Sequence, residues 1–80
     1  MLYQVRYNPK ITKNIIKAFT EIHKKRIYHG DVRVENILVR PDNSVVIIDF
    51  EKSEMDADQE LLDAEMEEVS NLCTCLERSC

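Results

Sequence analysis

A single glycine, two prolines and no tryptophan stand in this sequence of 80 residues. So little Gly and Pro, with no low-complexity run, excludes a flexible linker, a collagen-like chain and a disordered tail. The longest uninterrupted apolar run is Val45-Val46-Ile47-Ile48, far short of the roughly 18 residues a membrane-spanning helix requires. The opening segment MLYQVRYNPK lacks the apolar stretch of a secretory signal, so the expected location is cytoplasmic. Three Tyr and two Phe do not interleave with the basic residues as a nucleic-acid stacking platform would, and no nucleic-acid partner is expected. The three cysteines, Cys73, Cys75 and Cys80, all fall at one end. An odd number so placed makes no disulfide framework, and C-x-C-x4-C without a neighbouring His is poor zinc spacing. They read as reduced thiols on a helix and a tail.

What is present is charge, unevenly spread. Residues 1–40 carry nine Lys/Arg against three Asp/Glu, a balance of +6, and residues 41–80 carry two against twelve, a balance of −10. A chain of this size buries only about 60 % of its unfolded surface, so one small core is all it can hold. Ile11, Ile15, Phe19 and Ile22 recur at helical spacing, which predicts a helix over residues 11–27, with Asn8-Pro9 before it and Gly30 after it as start and stop signals. His23 near its end reads as packed or solvated rather than as a metal ligand. Two short β-branched runs, Asn36–Val39 and Ser44–Ile48, flank Arg40-Pro41-Asp42-Asn43, a turn by its composition, and so predict a β-hairpin. Val45 and Ile47 face one way and Val46 and Ile48 the other, so both faces of the hairpin are apolar and call for cover. Leu62, Met66, Val69, Cys73 and Leu76 predict a second amphipathic helix over about residues 58–76, with an acidic outer face.

Between the first helix and the hairpin lies His29-Gly30-Asp31-Val32-Arg33-Val34-Glu35-Asn36, and Asp49-Phe50-Glu51 follows at the hairpin's exit. The pair resembles the catalytic loop H-R-D-x-x-x-x-N and the metal-binding D-F-G of the protein kinase-like superfamily. The resemblance implies an α+β fold, a fragment of the kinase C-lobe made of helix, catalytic loop, β-hairpin and helix. It implies residues 1–10 as an N-terminal extension, 11–76 as a partial kinase-like domain and 77–80 as a C-terminal tail. It implies Asp31 as the residue that orients or accepts the proton of a substrate hydroxyl, and Arg33 as the cation on the transferred phosphate. Asn36 and Asp49 are implied to hold Mg²⁺, Leu38 and Ile48 to line the adenine floor, and His29, Gly30 and Phe50 to be structural members of the motif. The implied cofactors are Mg²⁺ and ATP, and the implied partner is a hydroxyl-bearing protein or small molecule.

The departures from the pattern matter as much. Gly30 stands where many protein kinases carry an Arg that reads activation-loop phosphorylation, and Glu51 stands in place of the Gly of D-F-G. H-G-D with I-D-F-E is similar to divergent kinase-like proteins and to phosphotransferases of the aminoglycoside and choline kinase type. Nothing in the sequence matches the Gly-rich loop or the strand lysine that pair with the phosphates, so the N-lobe is absent from this stretch. The expectation is weak ATP binding and little turnover for the chain alone. The alternative reading is a catalytically silent, pseudokinase-like binding module whose exposed hairpin is covered by a protein partner.

Overall fold

The computed structural model describes residues 3–4 and 9–78. A first helix, α1, spans Pro9–Lys24. Proline suits its first turn, since it has no N–H to leave unpaired and its φ is already helical. Ile11, Ile15 and Phe19 are buried along one face, while Lys13, Lys17, Lys24 and Lys25 stay in water. The helix stops three residues before the predicted end, and glycine does not stop it. Arg26 adopts a left-handed φ of 62°, its N–H donates to His23 O at 2.9 Å and the Ile27 N–H reaches back to Ile22 O at 3.3 Å. This is the paired-bond termination that usually recruits Gly; here the fold imposes it on an arginine.

The chain then runs through a loop and one turn of 3-10 helix, Val34–Asn36, into an antiparallel hairpin. Strand β2 (Ile37–Val39) pairs with β3 (Val45–Ile47) in the register Ile37↔Ile47, Leu38↔Val46, Val39↔Val45. The turn closes with the Arg40 N–H on Ser44 O and the Asn43 N–H on Arg40 O, both 2.9 Å, and with Asn43 at φ 71°. Asp42 Oδ1 accepts the Ser44 N–H at 3.0 Å, the local side-chain bond for which Asp favours turns. On the other side of β2 a two-residue strand, β1 (Tyr3–Gln4), pairs antiparallel as Tyr3↔Val39 and Gln4↔Leu38. The segment expected as an extension thus contributes a strand, and the sheet has three strands in the order β1-β2-β3.

The last helix, α2, spans Gln59–Arg78, beginning at the predicted place and running slightly past it because nothing in Leu76-Glu77-Arg78 breaks a helix. Asp58 O accepts the first intrahelical bond, from Leu62 N at 3.1 Å. The core is Ile11, Ile15 and Phe19 of α1, Ile37 and Val39 of β2, and Val69 and Cys73 of α2. Val45 and Ile47 pack against that core, so α1 and α2 cover one face of the hairpin. Leu38, Val46 and Ile48 on the opposite face are only half-buried, as the doubly apolar pattern predicts. Cys73 is buried and Cys75 exposed; Cys80 lies outside the described residues. Among the described residues no helix is long and apolar enough to cross a membrane.

Phe19 is 1 % exposed and meets the imidazoles of His23 and His29 edge-on, at centroid separations of 6.4 and 5.9 Å. Phe19→Ala is expected to destabilise the fold by about 3–5 kcal/mol, a large fraction of what so small a core supplies. Ile16→Ala, on the outer side of the same helix at 39 % exposure, should cost well under 1 kcal/mol. Urea denaturation followed by circular dichroism compares the two; equal midpoints would contradict this core.

Candidate functional site

The loop from Tyr28 to Asn36 is polar and short, and its shape is imposed from outside. Glu65 of α2 is 1 % exposed and directs its carboxylate at the loop backbone. Oε1 accepts the His29 N–H at 2.9 Å and Oε2 the Gly30 N–H at 2.8 Å. His23 of α1 places Nε2 2.8 Å from the same Oε1. A buried carboxylate is costly unless donors surround it; two main-chain amides and an imidazole do so here. One side chain thereby clamps both helices and the start of the loop together.

His29 passes that constraint on. Its Nδ1 accepts the Asp31 N–H at 3.2 Å, and its Nε2 bonds to Ile48 O at 2.8 Å. Since Nδ1 must accept and Nε2 must donate, the network selects the neutral Nε2–H tautomer. The residue is 0 % exposed, and its ring also meets Phe50 edge-on at 4.7 Å. The N–H of Ile48 is held as well, donating to Asn36 O at 2.9 Å. Loop and strand exit are therefore stitched together through both main-chain groups of one residue, immediately before Asp49.

Asp31 and Asn36 meet directly. Asn36 Nδ2 donates to Asp31 O at 2.9 Å and to Asp31 Oδ2 at 3.1 Å, which leaves its amide oxygen without a hydrogen bond from any described residue. Arg33 Nε lies 3.0 Å from Asp31 Oδ1, and Lys52 Nζ lies 4.0 Å from Oδ2. Partial loss of hydration pushes the Asp31 carboxyl up. The Asn36 hydrogen bond and the charges of Arg33 and Lys52 outweigh that and hold it below the ordinary carboxylate range. Asp49 is exposed with a left-handed φ of 61°, a conformation Asp tolerates better than most residues; no described residue bonds or pairs with its carboxylate. Leu38 and Ile48 lie on the half-buried outer face of the hairpin, adjoining this edge.

Gly30 has φ +88°, and a Cβ there would stand 2.5 Å from the Lys52 carbonyl oxygen. The sole glycine is thus required where the chain after Phe50 doubles back over the loop. That return is fixed by the Ser53 N–H on Phe50 O at 3.0 Å, a two-bond bridge between Tyr28 and Glu54 at 2.9 and 2.8 Å, and the Ala57 N–H on Arg26 O at 2.9 Å.

The sequence profile of the protein kinase domain matches residues 2–71. The chain belongs to that family. Among curated proteins it is 43 % identical over 44 residues to a bifunctional serine/threonine-protein kinase/NEDD4-like E3 ubiquitin-protein ligase of Dictyostelium discoideum, covering 55 % of this chain and 2 % of that protein. It is 46 % identical over 41 residues to kinase suppressor of Ras A of Caenorhabditis elegans, covering 51 % of this chain and 5 % of the relative. Kinase suppressor of Ras B of the same organism is 44 % identical over 41 residues, covering 51 % and 8 %. The chain therefore spans a small part of each of these relatives. No solved structure matches. The kinase-like α+β architecture expected from the motifs is the observed one.

The structure brings Asp31, Arg33 and Asn36 into direct contact and ties the approach to Asp49 to them through Ile48. His29 and Phe50 pack together beneath. Reasoning from sequence missed Glu65, the partnership of His23 and the approach of Lys52. Glu65 did leave a trace: it lies three residues after Leu62 and four before Val69, inside the buried stripe, where an acid has no reason to be unless something pairs with it.

Two expectations follow. Glu65→Ala should cost about 3–5 kcal/mol, because the His29 and Gly30 amides lose their buried acceptor, and hydrogen exchange at those two amides should accelerate far more than in the hairpin. Unchanged protection there would refute the clamp. Asp31, with its folded pKa depressed, adds stability that is present above its unfolded value and is lost as pH falls through the folded value. In Asn36→Ala the Asp31 midpoint, followed by carboxyl carbon NMR, should move upward.

Proposed function

We propose that this stretch of kinase domain carries the catalytic edge of a phosphotransferase, which passes the γ-phosphoryl group of ATP to a hydroxyl on a protein or small molecule. The observation that supports this reading best is the joint tethering of the Asp31–Asn36 pair and the Asp49 approach through the Ile48 peptide. Phosphoryl transfer asks for little covalent chemistry and much positioning, and positioning is what this network supplies.

The donor chemistry fits a magnesium ion. No cluster of three or more His, Cys, Asp or Glu side chains able to hold a metal occurs among the described residues. One carboxylate and one amide oxygen, from Asp49 and Asn36, are left without protein partners. That sparse oxygen set suits Mg²⁺, which is typically bound through one or two protein ligands together with water and substrate phosphates. When bound, the ion neutralises phosphate charge. Asp31 receives the hydroxyl's hydrogen bond and then its proton as the oxygen attacks the γ-phosphorus, whose bond to the bridging oxygen breaks so that ADP leaves with that oxygen. Its depressed pKa keeps it ionised and able to accept. Arg33 turns toward the transferred group, and Leu38 with Ile48 offers the apolar floor for the adenine ring.

Residues 51–58 leave no room for a long activation loop between Phe50 and α2, and Gly30 offers no guanidinium to read one. Control by activation-loop phosphorylation is therefore not part of this proposal. A second reading, a silent binding module, draws support from the half-buried Leu38, Val46 and Ile48 and from Met55, 71 % exposed.

A thermal scan separates the two. Millimolar Mg·ATP should raise the melting temperature of the chain by mass action, and Asp49→Asn should abolish the rise. Absence of any rise in the wild type would remove the phosphotransfer reading for the isolated chain and leave the binding module.

A further inference from the structure

Lys52 has no place in the catalytic pattern described so far. Its side chain is 67 % exposed, and its ammonium stands 4.0 Å from Asp31 Oδ2, while Arg33 Nε occupies Oδ1 at 3.0 Å. One carboxylate is thus approached by two cations on its two oxygens, one tightly and one loosely. The loose one rests on a rigid base. The Lys52 carbonyl sits so close to Gly30 that no side chain could stand between them, and the Phe50–Ser53 turn and the Tyr28–Glu54 bridge hold the backbone on either side.

We propose that Lys52 is a second phosphate-binding cation of this site, which swings from Asp31 to the terminal phosphate of a bound polyphosphate and brackets it with Arg33. The inference rests on the phosphotransfer reading and adds a residue to it. Three observations converge on it. First, an exposed ion pair at 4.0 Å is weak, so exchanging Asp31 for a multiply charged phosphate oxygen costs little, and an ammonium suits phosphate as a compact point charge. Second, Oδ2 also accepts the Asn36 amide at 3.1 Å, so Lys52 can leave without loosening the carboxylate, which stays oriented and gains room for a hydroxyl. Third, the backbone position of Lys52 depends on the glycine at position 30. The glycine that stands where many kinases carry a guanidinium is also what lets the Lys52 backbone approach the loop this closely. Charge spreads over the phosphoryl oxygens during transfer, and preorganised cations on both sides stabilise it.

The test measures binding rather than turnover. Titration calorimetry of the 80-residue chain with inorganic triphosphate and Mg²⁺ is run on the wild type, Lys52→Gln, Lys52→Arg, Asp49→Asn and, as a surface control, Lys25→Gln. Lys52→Gln should weaken binding about 5- to 20-fold and flatten its salt dependence, Lys52→Arg should stay within about threefold of the wild type, and Lys25→Gln should not differ from it. Binding by Lys52→Gln as tight as wild type, or by Lys52→Arg as weak as Lys52→Gln, overturns the role of Lys52. If Asp49→Asn still abolishes binding in that case, the phosphotransfer reading stands without it. No binding by the wild type overturns both.

Discussion

The geometry of this small domain depends on one buried carboxylate. Glu65 gives its two oxygens to the consecutive amides of His29 and Gly30, and shares one of them with His23. Because the group is removed from water, its donors cannot be exchanged for solvent at small cost. That intolerance is what makes it an effective clamp. From it the constraint runs through the His29 ring to the Ile48 carbonyl, and so to the strand exit that presents Asp49. Remote side chains on two helices thereby decide where the polar groups of the loop point.

The charge asymmetry of the sequence becomes intelligible in this frame. The basic half supplies the outer face of α1 and Arg33, and the acidic half the outer face of α2, while the two helices meet through apolar side chains and the His23–Glu65 contact. Tyr28 lies on the acidic side; partial burial first, then Glu65, Glu68 and Glu54, push its hydroxyl pKa above the ordinary tyrosine value. Asp31 lies on the basic side, with its carboxyl held down. The two groups are three positions apart in sequence, and opposite fields act on them.

Much of this was legible from residue patterns. The helical spacing from Ile11 to Ile22, the hairpin with its apolar pair of faces and the stripe from Leu62 to Leu76 each express a local period, and local periods survive into the fold. The neighbourhood of Asp31, Asn36 and the approach to Asp49 was legible because the motif spacings place them at one edge of the hairpin. What escaped was non-local. The end of α1 at Arg26 is enforced by the return of the chain after Phe50, since Arg26 O must receive the Ala57 N–H, and no residue type announces that. Gly30 reads from sequence as a helix stop or as a lost arginine; only the Lys52 carbonyl beside it shows why nothing larger fits. The strand Tyr3–Gln4 is too short to carry a period of its own.

The separations in sequence of these contacts carry a kinetic consequence. The hairpin and α1 close over short stretches of chain and can form within microseconds, whereas His29 reaches Glu65 across 36 residues and His23 reaches it across 42. Closing loops of that length comes late in folding. The loop from Tyr28 to Asn36 is therefore among the last parts to take shape, and a local opening that lifts α2 dissolves its geometry while leaving most of the secondary structure in place.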